Sequence, residues 1–324
     1  MMDWTDRHCR YLHRQMSRHA LLYTEMVTAR AVIHGPRDRL LGFDPAEHPV
    51  AVQLGGSDPG ELAQAARIAA GYGYDEINLN CGCPSDRVQS GCFGAVLMET
   101  PALAGDCVAA MIAASDAEVT VKCRIGVDDQ DPAEALPAFL EAVSQAGVRR
   151  VIVHARKAWL QGLSPRDNRE IPPLDYALVR AIQADFPRLF ISLNGGIATL
   201  DEVCALLEQG FDGVMVGRAA YHDPAAILLG ADARVFGDTA PARRAEDVVA
   251  AMRPYIAVHL GAGGRLQSVT RHMLGLFAGR PGARGWRRIL SERAHRDSAG
   301  LEVIDAALAQ ITDRNTVDDM APTL

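Results

Sequence analysis

Lysine is nearly missing from this sequence of 324 residues: Lys122 and Lys157 are the only two among 33 basic residues, set against 40 acidic ones. Aromatic side chains make up only 6%. No stretch approaches the roughly eighteen uninterrupted apolar residues that mark a membrane-crossing helix. The charged opening MMDWTDRHCR has no apolar segment of the kind found in a secretory leader. These absences argue against a membrane span or an exported chain, and for a cytoplasmic one. The seven cysteines are odd in number and contain no C-x-x-C pair, so reduced thiols are expected in place of disulfides or a zinc site. A net charge of −7 excludes a chain that coats nucleic acid through its overall charge. No G-x-G-x-x-G follows the early strand-like runs, which removes the signature of a dinucleotide-binding doubly wound sheet.

What remains is a sequence with 48% apolar and 23% charged residues, the balance of a globular protein with a sizeable core. Short β-branched runs recur at 21–25, 49–54, 76–80, 119–124, 150–154, 189–194 and 213–216. Amphipathic stretches such as 59–71 and 201–210 lie between them. Asp58 and Asp201 suit helix starts, and Gly71 and Gly210 suit helix stops. Strands apolar enough to be buried on both faces, alternating with helices at a period of roughly 30 residues, predict a (β/α)₈ barrel. Seven strands are counted and a barrel has eight, so the first strand is expected to be missing from this sequence, the open seven-stranded sheet being the alternative. After residue 238 the alternation stops. Helical patterns follow at 245–260, 266–278, 285–295 and 301–311. The expected organisation is a barrel over 1–238, a helical domain over 245–312 and a frayed tail over 313–324. The window 265–296 carries eight arginines and a single acid, Glu292.

In such barrels chemistry sits where strands end at the carboxyl side. Those ends present Gln53, Asn80-Cys-Gly-Cys83-Pro, Lys122, His154, Asn194-Gly195-Gly196 and Gly217-Arg218. Glycines after the last two strands, with Arg218 beside them, suit a phosphate held by backbone N–H groups and a guanidinium, although ordinary turns use the same dipeptides. Lys122 lies in the alternating run Val119-Thr-Val-Lys-Cys-Arg, where a buried ammonium needs an electron-rich partner. His154 alone also fits a structural role. Cys83, followed by Pro84 in the loop after a strand, fits a thiol proton donor. Cys81 and Cys92 compete with it on composition, and an inert buried filler is the plain reading for any one of them.

The segments TEMVTARAVIHG, INLNCGCPSDRVQSGCFGAVLM, VTVKCRIGVDDQD, HARKAWLQGLSPRDNREIPPLDY, LNGGI, DGVMVGRAAY and TRHMLGLFAGRPGARGWRRILSE together resemble tRNA-dihydrouridine synthases of the A type. The similarity runs through nearly the whole chain. It implies an FMN-containing barrel with a helical C-terminal domain, in which NADPH reduces the flavin. The flavin gives hydride to the uracil double bond, and a cysteine protonates the neighbouring carbon. By this resemblance Cys83 is the acid. Met1, Gln53, Lys122, His154, Asn194, Gly195, Gly196, Gly217 and Arg218 match flavin contacts. Asn80, Arg166, Arg169, Arg284 and Arg287 match tRNA contacts. Adjacent uridines 20 and 20a of the tRNA D-loop are the expected substrate, with no metal, no membrane and no obligate protein partner. The residues are consistent with this, since no side chain supplies hydride and a redox cofactor must. A base held in tRNA must also be everted to be reached. Two other readings stay open at this point: a flavin barrel acting on a free pyrimidine, as dihydroorotate dehydrogenases do, and a non-catalytic RNA-binding protein.

Overall fold

A computed structural model describes residues 1–85 and 93–311. Seven strands form one sheet: β1 (Leu22–Thr28), β2 (Val50–Gly55), β3 (Glu76–Cys81), β4 (Glu118–Arg124), β5 (Arg150–His154), β6 (Phe190–Asn194) and β7 (Gly213–Met215). Every pairing is parallel and the order is β1-β2-β3-β4-β5-β6-β7. A doubly wound sheet reverses its strand order at a switch point. This one never does, which is the progression of a barrel wall.

Each strand falls within a few residues of the run that announces it, and the reason is visible in burial. One face of the sheet is apolar and sealed: Val52, Leu54, Ile77, Leu79, Val121, Val151, Val153, Ile191 and Leu193 are fully buried. Leu54 pairs with Leu79, that with Val121, then Val151 and Ile191, so the pairing register keeps one row on one face. Side chains alternate along a strand, and the intervening positions are mostly polar, with Ala51 and Ile152 as apolar exceptions. Gln53, Asn78 and Thr120 pair in one row. Asn80 pairs with Lys122 in the next row. Arg124, His154 and Asn194 form a third row at the carboxyl end. Helices such as Pro59–Ala70, Pro101–Ala114 and Pro132–Gln145 connect the strands.

The caps are instructive. The Asp58 side chain accepts the Glu61 N–H at the start of Pro59–Ala70, as expected, and Gly71 is its C-cap. Asp201 is not a cap. Thr199 caps Leu200–Glu208 through a capping box with Glu202, and Asp201 sits in the first turn. A threonine with Glu three residues later is the stronger signal.

The chain divides into two compact units. One comprises Met1–Arg7 and Leu21–Gly217; the other comprises His8–Ala20 and the described residues from Arg218 onward. The division thus falls at Gly217, ahead of the 238 expected from where the alternation stops, because the short helices Arg218–His222, Pro224–Leu228 and Ala231–Phe236 belong with the helical unit. Helix Arg7–Arg14 joins it almost entirely. Its Tyr11 stacks on Tyr255 with ring centroids 3.9 Å apart, and after it Ser17 and the Arg18 N–H bond Asp232. In the helical unit, Ala245–Gly261, Ala283–Arg293 and Leu301–Leu308 match the periodic pattern. The stretch 266–278 does not: only Leu266–Thr270 is helical, and turns follow. Within those turns Gly275 packs so closely that a Cβ there would lie 2.0 Å from the His222 carbonyl oxygen. No described helix is long and apolar enough to cross a membrane. The tail 313–324 and Cys92 lie outside the described residues.

Candidate active site at the strand ends

The carboxyl end of β3 turns into the cysteine loop, and one side chain holds that turn. Asn80 Oδ1 accepts the N–H of Gly82 at 3.1 Å and of Cys83 at 3.0 Å. Short polar side chains stabilise turns this way. The amide of Asn80 also donates to Gln53 Oε1 at 2.8 Å. Asn80 was matched to tRNA; its amide is engaged with its own chain, and it is buried.

Cys83 is half-buried and free, with Sγ 3.5 Å from Ser85 Oγ. Its carbonyl accepts the Ala95 N–H at 3.0 Å. Cys81 and Cys123 belong to the sealed face and are fully buried. Burial pushes the Cys81 thiol well up and the Cys123 thiol up to about 12. Alternation therefore separates Cys81 from Cys83 as it should: one faces the core, the other the strand ends.

The charges on this end are cations. Lys122 is half-buried and makes no ion pair among the described residues. Burial first, and then the neighbouring Arg124, lower it to about 8. His154 is buried, and its desolvation together with Arg124, Lys122, Arg156 and Arg169 holds it neutral, far below the usual imidazole range. Cys83 is the negative-capable group within electrostatic reach of both Lys122 and Arg124.

Arg124 is the residue that sequence reading passed over. It is 3% exposed, and it donates to the carbonyls of Gly82 (3.1 Å), Lys157 (3.2 Å) and Asn168 (2.8 Å). One guanidinium thus ties the cysteine loop to the loop after β5. Its five-donor fork suits this better than an ammonium. The signal was available, because Arg124 stands two residues after Lys122 and must share its face.

Gly195 and Gly196 follow β6 with φ of 114° and 74°. A Cβ at Gly195 would lie 2.5 Å from the His154 ring, and one at Gly196 would lie 2.5 Å from Leu174. The glycines let this loop press against His154. Gly195→Ala is therefore expected to cost about 1–3 kcal/mol from backbone strain alone and to displace His154. Thermal unfolding checks it, and a melting point unchanged to within about one degree would contradict the assignment. The Asn194 amide donates to the Met215 carbonyl at 2.8 Å, joining the ends of β6 and β7. The Met1 sulfur stands 3.7 Å from where a Cβ of Gly217 would be. Arg218, next in the chain, opens the helix Arg218–His222 of the other unit.

Arg166 and Arg169 sit in the exposed loop after β5, at the 3₁₀ turn Asp167–Arg169. Arg166 pairs with Glu170 at 3.7 Å. In the helical unit, Ala283–Arg293 buries Ala283, Trp286, Ile289 and Leu290 and exposes Arg284, Arg287, Arg288 and Arg293. None of these four arginines has an ion-pair partner among the described residues.

A half-buried thiol thus lies among cations at the carboxyl ends of parallel strands, the place where a barrel-type enzyme keeps its chemistry. The chain belongs to the dihydrouridine synthase family (Dus), whose family model matches residues 1–312, and it is an oxidoreductase. It is 56% identical to the tRNA-dihydrouridine(20/20a) synthase of Xanthomonas campestris pv. campestris, over 97% of this chain and 92% of that one. It is 57% identical to the protein of the same description from Pasteurella multocida, over 95% and 94% of the two chains. The Escherichia coli O6:H1 protein of that description is 56% identical over 97% and 94%. Among solved structures, an old yellow enzyme homologue from Zymomonas mobilis aligns with a TM-score of 0.51 at 14% identity, covering 76% of this chain and 87% of that one. That likeness supports the barrel fold.

Proposed function

We propose that this protein is a tRNA-dihydrouridine synthase that uses FMN and NADPH and reduces adjacent D-loop uridines, 20 and 20a, with Cys83 as the proton donor. The observation that carries the reading is the placement of Cys83 on the amides held by Asn80, within reach of Lys122 and Arg124, while Cys81 and Cys123 face the core. The names of the relatives agree with it.

The residues fit a flavin. Lys122 is a desolvated cation without a carboxylate partner among the described residues. Such a group calls for an electron-rich or anionic ligand. Gln53, Lys122, His154, Asn194, Gly195, Gly196, Gly217 and Met1 of the sheet unit would hold it, and Arg218 follows in sequence. When bound, a flavin supplies the hydride that no side chain can. The chain does the rest. Cys83 holds the proton for the neighbouring uracil carbon, and the thiolate left behind faces Lys122 and Arg124. His154, held neutral, donates or accepts a hydrogen bond without adding charge. Asn80 and Arg124 keep the sulfur in place while the base is everted into reach.

RNA affinity comes from local arginines, Arg166 and Arg169 in the sheet unit and Arg284 and Arg287 in the helical unit. Neutralising Arg284 and Arg287 together is expected to weaken tRNA binding and to flatten the plot of log affinity against log salt by about 1.4–1.8, one counterion per lost phosphate contact. Filter binding across a salt series measures it, and an unchanged slope would remove this face from the interface. The function itself is tested by mapping dihydrouridine in tRNA from a strain lacking the gene, before and after its return. Positions 20 and 20a that stay unmodified when the gene returns would end the proposal.

A further inference from the structure

Beneath the thiol, the inner face of the sheet carries an unbroken chain of hydrogen bonds. The N–H groups of Gly82 and Cys83 donate to Asn80 Oδ1. Asn80 Nδ2 donates to Gln53 Oε1 at 2.8 Å, and Gln53 Nε2 to Asn78 Oδ1 at 2.9 Å. Asn78 Nδ2 donates to Thr120 Oγ1 at 2.8 Å, and the Thr120 hydroxyl to Glu76 Oε1 at 2.6 Å. Tyr23 donates to the same carboxylate oxygen. The chain runs from the carboxyl ends of the strands to the first residue of β3 and crosses β2, β3 and β4.

Its two ends fix its sense. Backbone N–H groups can only donate, so Asn80 must turn its oxygen to them. At the other end the hydroxyls of Thr120 and Tyr23 both donate to one Glu76 carboxyl oxygen, an acceptor, although burial pushes this carboxyl up. Every amide between has one consistent orientation. Glu76 itself is a buried carboxylate, 2% exposed. Arg150 is 3.8 Å away and is drawn nearer to Glu118, at 3.1 Å. Burying such a group is costly, and nothing in the surface chemistry requires it.

We propose that Glu76 is a positioning residue for Cys83: from the far end of the strands it accepts the last donor of the hydrogen-bond chain that orients Gln53 and Asn80, and so anchors the cysteine loop. This deepens the proposed function and rests on it for the role of the thiol. The orientation of the chain also decides what Gln53 offers a ligand, because one N–H and one lone pair remain after its two internal bonds.

The decisive variant is Thr120→Val, which keeps shape and removes the link, compared with Thr120→Ser, which restores a hydroxyl. The holoprotein is treated with iodoacetamide over a pH series, and alkylation of the Cys83 peptide is followed by mass spectrometry. Thr120→Val is expected to change the Cys83 rate about fivefold, the worth of one net hydrogen bond, and to displace its pH profile. It should also lower tRNA-dependent kcat by about tenfold while NADPH-driven flavin bleaching holds within about twofold. Thr120→Ser should match the parent protein. A folded Thr120→Val with the parental alkylation profile and kcat would overturn the proposal. Asn78→Leu, which breaks the chain one link nearer the thiol, must give the same displacement, and a parental profile there overturns it too. In the unaltered protein the Gly82 and Cys83 amides must exchange slowly with deuterium; rapid exchange refutes the mechanism without any variant. If the parent protein does not modify tRNA, the proposed function falls, and the alkylation comparison still decides the role of Glu76.

Discussion

Cys83→Ala is expected to bind flavin and to let NADPH bleach it at the parental rate, yet to form dihydrouridine in tRNA about 10²–10⁴-fold more slowly, the usual worth of a positioned general acid. Gly82 and Cys83 meet Asn80 through backbone N–H groups, which alanine retains. The side chain is half-buried and, among the described residues, bonds Ser85 alone, at 3.5 Å, so its removal leaves no described buried polar group unpaired. Cys81 cannot substitute for it, because that thiol is sealed in the core and pushed well above the ordinary thiol range. Separate measurement of flavin bleaching and of dihydrouridine per tRNA splits the two steps. Turnover within a few-fold of the parent would assign the proton to another group.

Arg124→Met should have the largest effect on stability. The side chain is buried and serves three backbone carbonyls, those of Gly82, Lys157 and Asn168. Methionine fills the space but donates nothing. At roughly 1–3 kcal/mol for each buried acceptor left unpaired, with relaxation sparing part of it, a loss of about 3–5 kcal/mol is expected. Both loops around the site would loosen, so Cys83 chemistry should fall as well. Burial lowers Arg124 only to about 10, so it remains a cation at neutral pH and the effect should not depend on pH between 6 and 8. Denaturant unfolding measures the loss. A cost below about 1 kcal/mol would show that water replaces the guanidinium and that Arg124 does not tie the loops.

The strands were legible because their pattern is local. Alternation of apolar and polar residues in Val119-Thr-Val-Lys-Cys-Arg says which side chains share a face, and the sealed row of Val121 with its neighbours confirms it. Pro84 and the strand ending at Cys81 likewise pointed to Cys83. What was not legible depends on partners far away in sequence. The helical unit claims Arg7–Arg14 through Tyr11 on Tyr255. The helix expected over 266–278 stops at Thr270, and the turns that follow bring Gly275 against the His222 carbonyl. Arg124 was passed over for a related reason. Its three acceptors come from two loops, and although alternation places it on the Lys122 face, nothing in the run around it announces those partners. Asp201 lost its place to Thr199 because the capping box outweighs a lone carboxylate.

One arrangement bears on how the chain is made. Residues 8–20 leave the ribosome well before Asp232, Arg243 and Tyr255, which receive them and lie more than 210 positions downstream. At about 5–20 residues per second, roughly 10–40 s of synthesis separate the two. The opening helix must wait through the emergence of the whole sheet, with Tyr11 and Ser17 unsatisfied, so this early segment is where a nascent chain is most open to chaperones or to straying onto a neighbouring polypeptide.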